Sequence, residues 1–404
     1  MPLGAFGIPP SALLLDSTLR DGEQSPGVAL SPAEKAEYVS LAEVAGIRYI
    51  EIGFPHNPFD FEACLAAASA SKHSRLVAMA LTNEESIRKV LEVGAHEVLL
   101  IVPSSSSHLT ALFNGSLDDL TAQLLESITY SDQCGLAVNV GLEDASQGDL
   151  DIISHLITAI SSSGQRVDCI TIADTRGQLL PTEVQDLVRK IRRMLQGLKC
   201  RIAFHAHNDL GLATANSLAA LTLNPPLDCI HVTSCGFGER AGNASLEQIA
   251  VLLETKLKRT SPIDLGGLGT LTDFVQKAFL TPVHPHAPVI GSKVFLHESG
   301  IHQKGMLRQR SSFQFLDPNL LGVTVDLILG KHSGRRMRLA IAEEAGCSEE
   351  EVWELQKAIV GRDKLEVEAA FLLAIEALRT KAFIGLSQHD AVTFLRDRFR
   401  RKRS

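Results

Sequence analysis

Eight short apolar runs alternate with helix-like stretches along the first 258 residues of this chain. The runs lie at 12–17, 47–53, 75–81, 97–102, 136–141, 168–172, 201–206 and 228–233. Short continuous runs of this kind read as strands buried on both faces, the pattern of a parallel sheet covered by helices. The stretch 31–45 opens with Ser31-Pro32, a capping hydroxyl followed by proline at the first helical position. Pro181, followed by Thr182-Glu183, opens another helix. Eight strand–helix units of roughly thirty residues each match a (β/α)8 TIM barrel of about 250 residues. A doubly wound open sheet would want Gly-x-Gly-x-x-Gly after an early strand, and the chain has none.

With 404 residues the chain is too long for the barrel alone. The reading divides it into a catalytic barrel, 1–260, a linker subdomain, 261–333, and a helical subdomain, 334–404. The linker is rich in Gly and Pro, with a helix at 271–280. The last part carries helical patterns at 348–360 and 363–378 and a basic tail, Arg396 to Arg403, read as a solvated helix end. A formal charge of −8 argues against nucleic acid as a general partner. No apolar run is long enough to span a bilayer, and the N-terminus lacks the pattern of a secretion signal. Seven cysteines are scattered singly with no Cys-x-x-Cys, which fits a reduced, cytoplasmic protein.

In a TIM barrel the chemistry sits at the carboxyl ends of the strands. Those ends carry Arg20 and Asp21, Glu51, Leu81, Glu143, Asp174 and Thr175, His205 and His207, and the loop from Ser234 to Asn243. His205 and His207 are one residue apart, so on a strand their imidazoles share a face. An isolated His-x-His is more often a pair of satisfied core or surface histidines. Here a hard carboxylate at Asp21 complements them, and two imidazoles plus one carboxylate leave open positions on a divalent ion. Asn243 adds an amide oxygen. Arg20 is placed to bind a carboxylate or polarise a carbonyl.

Six motifs occur in order: Leu-Arg-Asp-Gly-Glu-Gln at 19–24, Glu-Asp-Ala-Ser at 143–146, Ala-Asp-Thr at 173–175, His-Ala-His-Asn-Asp-Leu-Gly-Leu-Ala-Thr-Ala-Asn at 205–216, Gly-Glu-Arg-Ala-Gly-Asn at 238–243 and His-Glu-Ser-Gly-Ile-His at 297–302. Over about residues 12–335 the chain thereby resembles the acyl-CoA-condensing family of 2-isopropylmalate, homocitrate and citramalate synthases. The resemblance implies a metal-dependent barrel whose small subdomains reach into a partner's active site, hence a homodimer. It implies condensation of acetyl-CoA with a 2-oxo acid and hydrolysis of the thioester. By position, Asp21, His205, His207 and Asn243 would hold one divalent ion, with Zn²⁺, Mn²⁺, Mg²⁺ and Co²⁺ left undistinguished. Arg20 would bind the ketone oxygen and Thr175 the 2-oxo acid carboxylate. Glu51, Leu81 and Asn139 would stand on the substrate side. Glu143 and a partner-supplied His302 would serve the proton transfers.

The chain departs from the family pattern in places. Phe313 stands where the family usually has tyrosine. Gln147 and Arg176 replace an arginine and a small apolar residue, which puts Arg176 on the rim or against an anionic group. Homocitrate synthases usually place His or Arg near Leu81, and some have Arg at the position of Asn139. Burying a distal carboxylate beside Leu81 without a cation is costly, which favours a 2-oxo acid with an apolar or aromatic side chain. The pattern Val-x-x-Gly-x-Glu-Asp-Ala-Ser at 138–146 instead resembles nitrogenase-linked homocitrate synthases, so 2-oxoglutarate is the alternative. A carbon–carbon lyase and a ligand-binding paralogue without activity are the remaining readings. The sequence ends after its helical part, which implies no leucine-feedback domain.

Overall fold

The structure is a computed structural model and describes residues 13–113, 115–259, 261–323 and 327–360. The expected helix at 363–378 and the basic tail lie outside the described residues. Eight parallel strands close into a barrel in chain order. They are β1 Leu13–Asp16, β2 Tyr49–Glu51, β3 Arg75–Ala80, β4 Glu97–Pro103, β5 Ala137–Glu143, β6 Cys169–Asp174, β7 Arg201–Ala206 and β8 Cys229–Val232. Each falls within or beside its expected run. Leu13 pairs with Cys229 and Asp16 with Val232, and this pairing closes the cylinder.

Helices α1 Pro32–Val44, α2 Phe61–Ala70, α3 Glu84–Glu92, α4 Ser106–Leu112, α5 Leu117–Gln133, α6 Leu150–Ser163, α7 Pro181–Met194, α8 Ala213–Leu221 and α9 Leu246–Thr255 follow the strands. Ser31 caps α1 in a reciprocal box with Glu34, the start that Ser31-Pro32 predicts. Pro181 is the first residue of α7, and Glu183 accepts from the Leu180 N–H at 2.8 Å. Helix α8 begins at Ala213, several residues past the histidine pair. The Asn208 N–H donates to Gly242 O and Gly211 turns left-handed, so the chain is tied to the next loop before it can coil.

Strand alternation divides the apolar residues into two sets. Leu13, Leu15, Tyr49, Val77, Leu99, Cys169, Ala203 and Cys229 fill the barrel interior. Their neighbours Leu14, Ile50, Leu76, Val98, Val138, Ile170, Ile202 and Ile230 are equally buried on the helix side. At the amino-terminal end the interior is closed by a polar plug. Glu97 accepts from Tyr49 Oη at 2.6 Å, Asn139 Nδ2 at 2.7 Å and Arg201 Nη2 at 3.2 Å, and pairs with Arg75 Nε. Burial works against this carboxylate, but the two guanidiniums and the tyrosine hold it below its ordinary value.

Backbone contacts divide the chain into two compact units, at 264/265 and 279/280, with 270–279 belonging to the first and 265–269 to the second. Helix α10, Leu268–Ala278, leads into Phe279, whose ring stacks on Phe237 of the barrel at 5.7 Å. Thr272 Oγ1 donates to the buried Glu247 carboxylate. The second unit holds α11 Gly300–Met306, α12 Arg335–Ala345 and α13 Glu349–Val360. It is knitted by side-chain amides. Gln303 Nε2 donates to His297 O, Ile328 O and Ser333 Oγ, and Gln356 Nε2 to Gly330 O and Ser333 O. No described helix is long and apolar enough to cross a membrane.

The plug supplies a stability prediction. Glu97→Leu strands two arginines against an apolar wall, and the barrel should lose about 3 kcal/mol. The check is a lowered urea midpoint at unchanged slope.

Candidate active site

The carboxyl ends of the strands surround a cavity of about 320 Å³. Arg20, Asp21, His205, His207 and Thr175 form a polar side, and Met79, Leu81, Leu99 and Ile101 an apolar one. The same parity that fills the barrel places these side chains. His205 and His207 continue the inward set of β7 above Ala203, and Thr171, Ala173 and Thr175 that of β6 above Cys169.

Asp21 arrives by another route. After β1 the backbone makes a wide turn over Thr18–Gly22, with Asp21 and Gly22 N–H groups both donating to Ser17 O. Turns of this π type are frequent at functional sites. This one lays Arg20 and Asp21 over the barrel mouth. It is held from behind by Lys35, which is fully buried. Its ammonium contacts Leu19 O at 2.8 Å, Ile52 O at 3.1 Å, Asp60 at 2.6 Å and Glu23 at 2.7 Å.

Asp21 Oδ2 lies 3.0 Å from His205 Nε2 and 3.9 Å from His207 Nε2, and the two nitrogens are 3.3 Å apart. All three side chains are buried, and Asp21 Oδ2 makes no hydrogen bond of normal geometry. One point lies roughly 2 Å from all three atoms, the bond length of a first-row divalent ion to imidazole or carboxylate. The donor set therefore fits a divalent cation. Asn243 pairs with His207 through a backbone bridge, and its amide oxygen is buried without a partner. Burial would raise the Asp21 carboxyl, but the Arg20 charge and His205 hold it well below the usual range. Burial, with the neighbouring His205, lowers His207 to about 4. His231, whose ring meets that of His205 at 5.4 Å, is lowered by burial as well. His207 and His231 are thus neutral near pH 7, and it is neutral imidazole that ligates metals.

Two residues expected on the substrate side stand off the cavity wall. Glu51 is fully buried and does not line the cavity. Both its oxygens are taken by Arg20, Nε–Oε1 at 2.7 Å and Nη2–Oε2 at 3.1 Å. It therefore aims Arg20, whose Nη1 stands 3.4 Å from Asp21 Oδ2. Asn139 points into the barrel but one pleat below Gly141, where it donates to Glu97 and Tyr49 in the plug. Its height along β5, not its parity, sets it off the cavity wall.

Of the others, Leu81 lies on the cavity lip, 45% exposed. Thr175 Oγ1 accepts from the Asp144 N–H at 2.8 Å, which leaves its own hydrogen to donate. Glu143 ends β5 on the cavity wall, and burial raises its carboxyl above the ordinary value. Arg176 meets an anionic group, donating to Asp144 Oδ2 at 2.8 Å. His302 belongs to the second unit, where its exposed ring stacks on Phe313 at 4.3 Å. The sequence reading missed His231, Arg240, His108 and Lys35. His231 had a signal in its even spacing from the inward Cys229, and Arg240 in its place within the 238–243 motif.

Comparison with known proteins is consistent along most of the chain. A family profile described as HMGL-like matches residues 12–275, and one described as homocitrate synthase post-HMGL domain-like matches 289–360. The 2-isopropylmalate synthase of Pyrococcus furiosus is 32% identical over 375 residues, 88% of this chain and 74% of that protein. That of Bacillus licheniformis is 35% identical over 79% of this chain and 63% of its own length. The (R)-citramalate synthase of Methanocaldococcus jannaschii is 32% identical over 80% and 65%. Among solved structures, the HMG-CoA lyase of Bacillus subtilis superposes with a TM-score of 0.60 at 20% identity, covering 68% of this chain and 96% of that one. The carboxyl transferase domain of Rhizobium etli pyruvate carboxylase gives 0.54 at 16% identity, covering 72% and 51%. At these identities the two structures show the fold alone.

The donor geometry predicts a division among variants. His207→Ala should weaken Zn²⁺ or Mn²⁺ binding on the order of 100-fold or more, read by calorimetry. Glu51→Gln, which acts only through Arg20, should leave that affinity within a few-fold.

Proposed function

The chain belongs to the family of 2-isopropylmalate and homocitrate synthases, and on that footing we propose that it joins acetyl-CoA to a 2-oxo acid of apolar side chain. Hydrolysis of the thioester then gives a 2-substituted malate and free CoA. The observation that carries the substrate reading is the two-sided cavity. Anion-binding groups stand at one side, and Met79, Leu81, Leu99 and Ile101 at the other. The cationic residues of its wall are Arg20 and Arg240, both already ion-paired, with Glu51 and Asp209. A second substrate carboxylate, as in 2-oxoglutarate, would be buried against the apolar side without a counter-charge.

A divalent ion held by Asp21, His205 and His207, with Asn243 adjoining, would supply Lewis-acid polarisation of the ketone. The chain's own groups do the rest. The Arg20 guanidinium, aimed by Glu51, donates to the ketone oxygen and steadies the charge that develops there. The Thr175 hydroxyl donates to the 2-oxo acid carboxylate. Glu143 and His302 are the proton carriers, with His302 supplied by the other subunit of a homodimer. A methyl proton of acetyl-CoA passes to this pair, and the enolate carbon forms the new bond to the ketone carbon. The alkoxide takes up a proton, and water then cleaves the thioester. A raised Glu143 carboxyl lies closer to working pH than an ordinary one, which suits a general base.

Turnover on pyruvate, 2-oxoisovalerate, phenylpyruvate and 2-oxoglutarate, read by metal-dependent thiol release, tests the reading. An apolar or aromatic 2-oxo acid should exceed 2-oxoglutarate by about tenfold or more in kcat/KM; the reverse order would remove the substrate assignment. Shared sites predict complementation. Inactive Asp21→Ala and His302→Ala subunits, mixed and allowed to exchange, should recover about a quarter of wild-type activity.

A further inference from the structure

Three loops meet behind Glu143. Helix α4 carries His108, the end of β5 carries Glu143 and Asp144, and the turn after β6 carries Thr175 and Arg176. The His108 imidazole lies between two carboxylates, with Nδ1 3.8 Å from Glu143 Oε1 and Nε2 3.6 Å from Asp144 Oδ2. Asp144 is fully buried and adopts a left-handed backbone, φ 61°, which a non-glycine residue keeps only when its surroundings enforce it. They do so here. Ser105 Oγ and Arg176 Nη2 each donate to Asp144 Oδ2 at 2.8 Å, and the Asp144 N–H donates to Thr175. Arg176 also donates to Ser107 Oγ at 2.9 Å. The far side of the imidazole is therefore anchored to all three loops. Its near nitrogen, Nδ1, is buried with no hydrogen-bond partner and faces Glu143. Catalytic hydrogen bonds are often this long before substrate binds.

We propose that His108 is a positioning residue for Glu143: braced by Asp144, its imidazole holds the Glu143 carboxylate toward the cavity and favours the ionised form that accepts a proton. The catalytic meaning of this rests on the proposed condensation; the electrostatic part does not. The charged groups facing Glu143 are His108 from α4, Asp144 beside it in the chain, and Arg20 from the first loop. Burial raises the Glu143 carboxyl, His108 lowers it, Asp144 raises it and Arg20 lowers it. With an uncharged side chain at 108, only Arg20 opposes burial and Asp144, and the carboxyl must titrate at higher pH.

His108→Gln keeps hydrogen-bonding capacity and cannot carry a charge; His108→Asn is the second such variant should the first fold poorly. Carboxyl-carbon NMR of glutamate-labelled protein, with the Glu143 signal assigned by its loss in Glu143→Gln, reads the titration without turnover. The expected result is a Glu143 midpoint about one pH unit higher in His108→Gln. The acidic limb of the kcat profile should rise with it, with KM for the 2-oxo acid and metal affinity unchanged. An unmoved midpoint would overturn the inference. A moved midpoint with an unmoved acidic limb would overturn its catalytic part. Absence of thiol release from the wild type with every 2-oxo acid would sink the proposed function instead, while the NMR midpoint would still decide the role of His108.

Discussion

Three candidate ligand atoms, Asp21 Oδ2 and the Nε2 atoms of His205 and His207, are brought together at the barrel mouth, and much of the surrounding structure holds them there. Asp21 would drift or protonate if simply buried, since removal from water disfavours its charge. The Arg20 guanidinium prevents this, and Glu51 aims Arg20 by taking two of its donors. Lys35 fixes the backbone of the same turn through Leu19 O and ties it to the end of β2 through Ile52 O. Charges of alternating sign thus run from Glu51 through Arg20 to Asp21. A cation added at Asp21 continues the alternation.

The two ends of the barrel use buried charge differently. At the floor, Glu97 is enclosed by Arg75, Arg201, Tyr49 and Asn139, and all its lone pairs are directed at donors. At the mouth, Asp21 Oδ2 and Asn243 Oδ1 are buried without hydrogen-bond partners. A satisfied network stabilises and specifies, whereas orphaned polar atoms in a closed site are costly unless a ligand completes them. Asn139, an inward polar residue on a barrel strand, gives its amide Nδ2 to the floor network.

Much was legible along the chain because barrel strands obey a strict alternation. The runs at 201–206 and 228–233 gave their strands nearly residue for residue, and the caps at Ser31 and Pro181 marked helix starts through local chemistry. The pairing of His205 with His207 and their common aim followed from the same period of two. Asp21 could be matched with them through motif order, since the strand that precedes it closes the barrel against β8.

The linear sequence determined which side chains enter the barrel, because parity along a strand is a local property of the backbone. Only the tertiary structure decided how high each one sits and whom it meets, because the stagger between neighbouring strands and the path of each loop are set by packing across the whole cylinder. That is why Glu51 faces an arginine. It is also why Arg176, unplaced by its neighbours in sequence, closes on Asp144 from the adjoining loop, and why His108, which no spacing rule singles out, stands beside Glu143.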